Sequence, residues 1–139
     1  PTVAAQADDA QSEGGDPVSK IVALVNGARG RLGIPPLSRD PRLDAVALAH
    51  SRDMVALGYF GHRTPSGRML ADRLATAGLR PVKCGENVAK SRSAGRAHRN
   101  LMASPSHRLE LLDPGFTHIG IGVASDGRDL VVTEVLVRW

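Results

Sequence analysis

The end of the chain carries the pattern that most restricts the fold. Two apolar runs rich in β-branched residues, Ile119 to Ala124 and Leu130 to Val137, flank the turn-forming stretch 125–129, which contains Asp126-Gly127. Alternating runs joined by such a turn predict an antiparallel β-hairpin. The chain before them shows mainly helical periodicity. The predicted fold class is therefore α+β, with helices packed on a small sheet.

Helix start signals locate the predicted helices. Asp16-Pro17 and Asp40-Pro41 each place a capping side chain before a proline at the first helical position. The apolar spacing after these pairs predicts one helix that ends near Gly33 and a second that ends at Gly58. The other predicted elements are a helix over about 69–77, a short strand over 85–90, a helix over 94–103 and one or two helical turns over 107–112.

Composition narrows the domain organisation and the classes of partner. Residues 1–15 mix small and acidic side chains and are predicted to be a flexible leader or linker, so the folded domain is expected over 16–139. No apolar run is long enough for a transmembrane segment. Aromatic residues make up 3% of the chain, which argues against a nucleic-acid binder that stacks bases. The net charge of +4 comes from dispersed arginines, which indicates solvated surface, with weak attraction to anionic envelope polymers or lipid headgroups as the alternative.

Three loops carry residues that a core does not need. They place His62 in the stretch 61–68, Glu86 in the stretch 85–88 and His107 in the stretch 104–108. Loops on a rigid scaffold commonly carry functional sites, and two imidazoles with a carboxylate are suitable ligands for a divalent ion such as zinc. The chain has no His-Glu-x-x-His helix, so these residues alone leave the metal site as one alternative among several.

The single cysteine and the other histidines suggest weaker alternatives. Cys84 is the only cysteine, which excludes an intramolecular disulfide and a cysteine-built zinc site. It is expected to be a small, partly buried residue, and nucleophilic pairing with His62 or His107 is the alternative. The chain lacks the Gly-x-Ser-x-Gly elbow that would indicate a serine hydrolase. His50 lies on the apolar face of the second helix and is expected in the core, whereas His98 is expected to be solvated.

Taken in order, these segments resemble a known family. The matching series is Val25-Asn26-x-x-Arg29, Leu37, Asp40-Pro41-x-Leu43, Ala49-His50-Ser51-x-Asp53-Met54, Gly58-Tyr59-Phe60-x-His62-x-x-Pro65-x-Gly67, Gly85-Glu86-Asn87-Val88, Ser104-Pro105-x-His107-Arg108 and Phe116-Thr117-x-Ile119-Gly120-x-Gly122-Val123. The series resembles bacterial members of the CAP superfamily, which also contains plant pathogenesis-related proteins, cysteine-rich secretory proteins and venom allergens. The resemblance runs from about Val18 to Trp139.

The resemblance implies a fold, a cellular location and a site. The fold is a three-layer α-β-α sandwich with a small antiparallel sheet, and the location is secreted or extracytoplasmic, at the cell envelope. Family members have a central cleft with two histidines and two acidic residues, which in several members binds zinc or another divalent ion. By matching motifs, His62 and His107 take the histidine positions and Glu86 takes an acidic position, with Asn87 beside it.

Two positions depart from the family pattern. The second acidic position falls on Ser104, a further cleft neighbour, and Leu101 stands where tryptophan is usual. The expected cleft is therefore a reduced tetrad with altered packing on one side.

The expected function is a secreted binding module rather than an enzyme, with a His/Glu cleft able to hold a divalent metal such as zinc. Its partner is expected to be a small ligand, a lipid or an envelope component, with no specific nucleic acid, and the chain is expected to be a monomer. One alternative is a metal-assisted, protease-like hydrolase in which His62 and His107 hold zinc and Glu86 is a ligand or general base. Two others are a lipid or sterol carrier, which needs an apolar groove, and a salt-sensitive adhesion module for anionic polymers.

Overall fold

The computed structural model describes residues 15–139, and the predicted leader lies outside this range except for Gly15. Helices come first and the long hairpin comes last, as the sequence pattern predicts. The elements are α1 Pro17–Arg31, β1 Ser38–Arg39, α2 Pro41–Leu57, α3 Leu70–Thr76, β2 Lys83–Ser91, α4 Ala94–Ala103, α5 Pro105–Leu111, β3 His118–Ser125 and β4 Leu130–Arg138.

The helix boundaries follow the local capping chemistry. The Asp16 side chain accepts a hydrogen bond from the Val18 N–H at 3.1 Å. Asp40 does the same for the Arg42 N–H at 2.9 Å, so both predicted starts are confirmed. Helix α2 ends at Gly58, whose φ of 68° lies in the left-handed region that glycine adopts without strain.

The strands form one sheet within residues 15–139, in the order β1-β3-β4-β2. Strands β3 and β4 form the predicted hairpin, and β2 pairs antiparallel with β4 along its whole length. Strand β2 is longer than the predicted 85–90, because β4 supplies a hydrogen-bonding partner from Lys83 to Ser91. Strand β1 was not predicted. It is two residues long and forms only because Ser38 and Arg39 lie parallel to the start of β3.

Helices cover both faces of this sheet, which gives the three-layer α-β-α sandwich. Alternate residues of β4, Val132 and Leu136, belong to a core cluster with α1 and α4. Val135 and Val137, whose side chains point to the other face, pack with α2 and α3. A Cβ atom at Gly120 or at Gly122 would overlap the backbone of α2, so these glycines let α2 lie directly against β3.

Four side chains test what the sequence predicts about burial. The expectation that the arginines are solvated is wrong for Arg29, which is fully buried. Its guanidinium donates to the carbonyl oxygens of residues 35, 111, 113 and 116 and so links α1 to the chain around α5. His50 is buried, as predicted. The expectation that His98 is solvated is wrong, because His98 shares the buried face of α4 with Leu101. The expectation that Cys84 is partly buried is also wrong. Cys84 is exposed, because β2 is an outer strand of the sheet.

Candidate functional site

A buried carboxylate on β2 forms the first part of the site. Glu86 points toward α3, and its side chain is only 3% exposed. Arg73 on α3 binds it with two parallel hydrogen bonds, Nη1 to Oε2 and Nη2 to Oε1, both 2.8 Å long. His62 Nδ1 lies 3.0 Å from Glu86 Oε1. This geometry is the strong, bidentate form of an arginine–carboxylate pair, and it fixes the imidazole against the strand.

The loop that carries His62 is held from behind by α2. His50 Nε2 lies 2.7 Å from the Gly61 carbonyl oxygen, so this nitrogen carries the proton and donates. Burial lowers the pKa of His50, which keeps its ring neutral. Arg73 Nη2 also donates to the His62 carbonyl oxygen at 3.1 Å. The loop backbone is therefore anchored on both sides of the His62 side chain.

The second part of the site lies on the other face of β2. Because side chains alternate along a strand, Asn87 points away from Glu86 and toward α5. Its Nδ2 donates to the His107 carbonyl oxygen at 3.4 Å. The His107 ring is held by Ser104, whose Oγ lies 2.8 Å from His107 Nδ1. The segments that carry the two histidines therefore contact β2 from opposite faces. Because β2 is an outer strand of the sheet, its free edge is the place where the two rings can share a ligand.

Both imidazoles are oriented in the same way. His62 uses Nδ1 on Glu86, and His107 uses Nδ1 on Ser104. Within residues 15–139, the Nε2 atom of neither ring makes a hydrogen bond, and the His62 side chain is 43% exposed. Imidazoles that bind a ligand or a metal through one nitrogen usually have the other nitrogen held by a carboxylate or hydrogen-bonding partner.

The donor set fits a weakly held divalent ion better than a closed metal centre. In the described part of the chain, no group of three or more His, Cys, Asp or Glu side chains could hold a metal ion. Glu86 is bound by the Arg73 cation and by His62, so it orients His62 rather than serving as a free metal ligand. The ligands left for an ion are the Nε2 atoms of His62 and His107, and water would have to fill the other positions.

Two residues of the site were missed by the sequence interpretation. Arg73 lies in a predicted helix but in no motif, so only its spatial pairing reveals it. Glu110 on α5 places its carboxyl over Gly85, where an added Cβ atom would overlap it. Burial raises the pKa of Glu110, and nearby Asp113 raises it further. A glycine before Glu86 was the available signal, because such a glycine allows another group to approach the strand closely.

A cavity of about 350 Å³ opens on the His62 side of β2. Its lining includes His62, Glu86, Cys84 and Met69. Although Cys84 is an exposed residue, partial desolvation by the lining of this cavity is the main cause of the raised pKa of its thiol, and the carboxyls of Glu110 and Glu86 raise it further. A raised pKa keeps the thiol protonated, which removes the support for Cys84 as an activated nucleophile.

A larger groove of about 750 Å³ lies between α2, α3 and the His62 loop. Apolar and small side chains make up much of its wall. They include Ala45, Val46, Ala49, Leu57, Ala77 and Leu79. Arg68 borders this groove, and none of the ion pairs found among residues 15–139 involves it.

The fold and the His/Glu cleft together define the CAP class of domain. The model of the cysteine-rich secretory protein family, CAP, matches residues 22–137 of the chain. This protein therefore belongs to the CAP family.

Bacterial relatives agree with this assignment. The chain is 36% identical over 109 residues to the uncharacterised protein YkwD of Bacillus subtilis, covering 78% of this chain and 42% of YkwD. A crystal structure of an extracellular SCP-domain protein from Bacillus anthracis superposes with a TM-score of 0.80 at 32% identity, covering 88% of this chain and 40% of that one. The chain thus spans less than half of these two proteins.

A more distant structure has the same fold. An outer surface protein from Borrelia burgdorferi superposes with a TM-score of 0.80 at 16% identity, covering 86% of this chain and 90% of that protein. By their names, the Borrelia burgdorferi and Bacillus anthracis proteins are surface or extracellular proteins. Among residues 15–139, no helix has the length and apolar character needed to cross a membrane.

Proposed function

We propose that this chain is an extracytoplasmic binding module, and that its cleft holds a small polar ligand or an envelope component between His62 and His107. The observation that carries the proposal is the similar hydrogen bonding of the two imidazole rings. Each has Nδ1 held by a neighbour and Nε2 left for a ligand. The proposed location outside the cytoplasm is supported by the name of the extracellular relative from Bacillus anthracis. The proposed module acts as a monomer.

A divalent ion such as zinc is one ligand with the right chemistry. His62 and His107 would hold it, and Glu86 would orient His62 from behind. When bound, the ion would supply a positive centre that polarises an oxygen of a further ligand. With two imidazoles as its protein ligands, the ion would exchange readily rather than support the fold.

The geometry favours binding over hydrolysis. A general base needs a carboxylate that is free to take a proton, and both oxygens of Glu86 are bound by the Arg73 guanidinium. Cys84 is held as a thiol by its surroundings. A hydrolase would need another base within the cleft.

Zinc titration by calorimetry tests this proposal. The wild-type domain should bind zinc at about pH 7.5 and lose at least about tenfold in affinity at about pH 5.5, because protons compete for imidazole nitrogen. The variant carrying His62→Ala and His107→Ala should lose binding at both values. The matched control is His118→Ala, which removes a histidine at the start of β3 and should leave binding unchanged.

Two outcomes would overturn the zinc proposal. One is equal affinity at the two pH values, and the other is unchanged affinity in the double variant. An assay of hydrolysis with Glu86→Gln as control decides the enzymatic alternative. Activity that depends on Glu86 would favour a hydrolase.

The groove between α2 and α3 supports a second candidate function, binding of a single-chain anionic lipid. Its wall is largely apolar, and Arg68 at the border offers a cation to an acid headgroup. Ala49→Phe should fill the groove and weaken binding of a fluorescent fatty acid. The control Ala56→Phe adds the same ring to an exposed position of α2 outside the groove lining. Equal binding by both variants would remove the groove from consideration.

A further inference from the structure

A second buried carboxyl lies beside the cleft, on the face of β2 opposite Glu86. Glu134 is in the middle of β4, the strand that pairs with β2, and its direct neighbour across the ladder is Asn87. The residue has no exposed surface. Asn87 Nδ2 donates to Glu134 Oε1 at 3.3 Å and, on its other side, to the His107 carbonyl oxygen at 3.4 Å. One amide thus links Glu134 to the segment that carries His107.

The two side chains leave a matching pair of oxygens without partners. Glu134 Oε2 and Asn87 Oδ1 are both buried, and neither has a hydrogen-bond partner among residues 15–139. If Glu134 were ionised, both oxygens would be acceptors with no donor. A single proton on Glu134 Oε2 supplies the missing donor, because a carboxylic acid and a primary amide can pair side by side through two hydrogen bonds.

Nothing around Glu134 balances a negative charge. On its own face of the sheet it lies between Val132 and Leu136, and across β3 it faces Ile121, all three in the apolar core. None of the titratable groups on the packed helices is a cause of the pKa shift of Glu134, which comes from burial and from the Asn87 hydrogen bond. Arg29 on α1 donates to backbone carbonyls. Burial, followed by the charges of Arg31 and Arg99, lowers the pKa of His98 on α4 to about 4, so its ring is neutral. On α5, the His107 ring lies against Ser104 and the Glu110 carboxyl lies over Gly85.

We infer that Glu134 is a neutral carboxylic acid, paired with Asn87 by two hydrogen bonds, and that it is a positioning residue for His107 in the cleft. The role in the cleft rests on the proposed binding function, whereas the pairing does not. Asn87 can hold the His107 carbonyl with one N–H only if its amide is fixed in orientation. The acid–amide pair holds the amide in the plane of the carboxyl, and the His107 carbonyl selects its orientation, since turning the amide over would place Oδ1 against the His107 carbonyl oxygen.

The protonation of Glu134 agrees with its surroundings. Burial raises its pKa to about 7, against a smaller opposing effect of the Asn87 hydrogen bond. At neutral pH and above, the acid begins to ionise and the second hydrogen bond is lost. The His107 side of the cleft should therefore loosen as the pH rises, while the side built from Glu86 and Arg73 stays fixed.

Isotope-edited NMR of the folded domain tests the pairing directly. With ¹³C-labelled glutamate, the Glu134 carboxyl should show the shift of a protonated acid at about pH 6 and titrate near neutrality. The backbone amides of residues 106–108 should shift in the same step. Glu134→Gln replaces the acid by an amide that can form the same two hydrogen bonds with Asn87. This variant should keep the low-pH positions of those amides and lose the step.

The Glu134→Gln variant also distinguishes pH-dependent shifts caused by Glu134 from those caused by the histidines. All histidines are the same in the two proteins, so a difference between their pH responses belongs to Glu134. Two results would overturn the inference: a Glu134 resonance that is already that of a carboxylate at about pH 6, or a pH step that persists unchanged in Glu134→Gln.

The zinc affinity of Glu134 variants tests whether Glu134 positions His107 in the cleft. At about pH 6.5, Glu134→Gln should bind zinc within about twofold of wild type, and Glu134→Leu about fivefold more weakly, as expected for loss of one hydrogen bond. If Glu134→Leu does not fold, the comparison of Gln with wild type at about pH 8 replaces it, with the Gln variant binding more tightly. Tighter or equal wild-type binding at that pH would overturn the positioning role. If no protein binds zinc, the zinc proposal fails, and the NMR experiment still decides the pairing.

Discussion

The two faces of the sheet carry buried carboxyls in opposite states, Glu86 on β2 and Glu134 on β4. On the α3 side, Glu86 is bound by the Arg73 guanidinium and by His62. On the α5 side, Glu134 receives one hydrogen bond from Asn87 and no cation. A charge in the interior persists only where it is paired, and an unpaired acid becomes neutral instead. The cleft therefore has one charged, permanently fixed wall and one neutral wall whose state follows pH.

The largest effect should come from removing the charge on the paired side. Glu86→Gln leaves the Arg73 guanidinium, whose side chain is only 10% exposed, without its counter-charge. Loss of one member of a buried ion pair commonly costs about 3–5 kcal/mol. Denaturant unfolding at neutral pH should show a loss of this order. The double variant Glu86→Gln with Arg73→Met should recover part of it, because no unpaired charge remains. Full independence of the two substitutions would contradict the pairing.

The same substitution on the other face should have the opposite sign. Glu134→Gln should stabilise the domain at about pH 8 by up to roughly 3 kcal/mol, at about 1.4 kcal/mol per unit of pKa difference. The pKa of this carboxyl is about 7 in the folded protein, against an ordinary value of 4.5. Between these values the folded state holds the proton more tightly, so wild-type stability falls as pH rises through this window.

Thermal unfolding across pH checks the sign of this effect. Below about pH 4.5 the acid is protonated in both states, and wild type and Glu134→Gln should differ little. The difference in stability between the two proteins should grow between about pH 4.5 and pH 7 and then stay constant. A Gln variant that is less stable than wild type at about pH 8 would show that Glu134 has a cation that its surroundings do not reveal.

The difference between the two faces also shows what the sequence could predict. Asp16, Asp40 and Gly58 act through hydrogen bonds and backbone angles within a few residues of themselves, so the limits of α1 and α2 followed from local pattern. The hairpin followed from its turn and alternating strands for the same reason. His62, Glu86 and His107 were selected by resemblance of their loops to the family motifs. The structure places His62 and Glu86 in contact and places the His107 backbone against Asn87, the next residue of β2. The convergence of all three side chains in one cleft stays a prediction.

What the sequence could not predict depends on pairing between distant segments. Arg73 binds a carboxylate 13 residues away, and Asn87 shares a hydrogen bond with Glu134 at a separation of 47 residues. Neither pair has a local signature, because each arises only when β2 lies between α3 and β4. The error on His98 has a related cause. Its charged neighbours suggested solvent, but helical spacing turned the ring inward with Leu101.

A smaller loss of stability is expected from adding a methyl group on the face of the sheet that carries Glu134. Gly85→Ala would place a Cβ atom over the Glu110 carboxyl and 3.0 Å from the Phe116 ring. The Glu110 side chain can swing away, but the buried ring cannot, so a loss of about 1–2 kcal/mol is expected. The double variant Gly85→Ala with Glu110→Ala should be closer to wild type, measured by denaturant unfolding. If Glu110→Ala gives no recovery, contact with Phe116 alone limits this position.

The smallest effect on stability should come from Ser104, although its effect on the ligand is larger. Its hydroxyl holds the His107 ring at 2.8 Å and makes no capping bond to the backbone of α5. Ser104→Ala should therefore change the free energy of unfolding by no more than about 1 kcal/mol. Zinc affinity should fall by roughly tenfold, the lower end for loss of a residue that orients a metal-binding imidazole.

Ser106→Ala is the matched control for this change. Ser106 is exposed, and its hydroxyl lies 3.5 Å from that of Ser104 rather than on the ring. Calorimetry should show wild-type zinc affinity in this variant. Equal affinity of wild type and Ser104→Ala would mean that the ring needs no hydroxyl to orient it. In that case the neutral wall would act on His107 through its backbone alone, by way of Asn87 and Glu134.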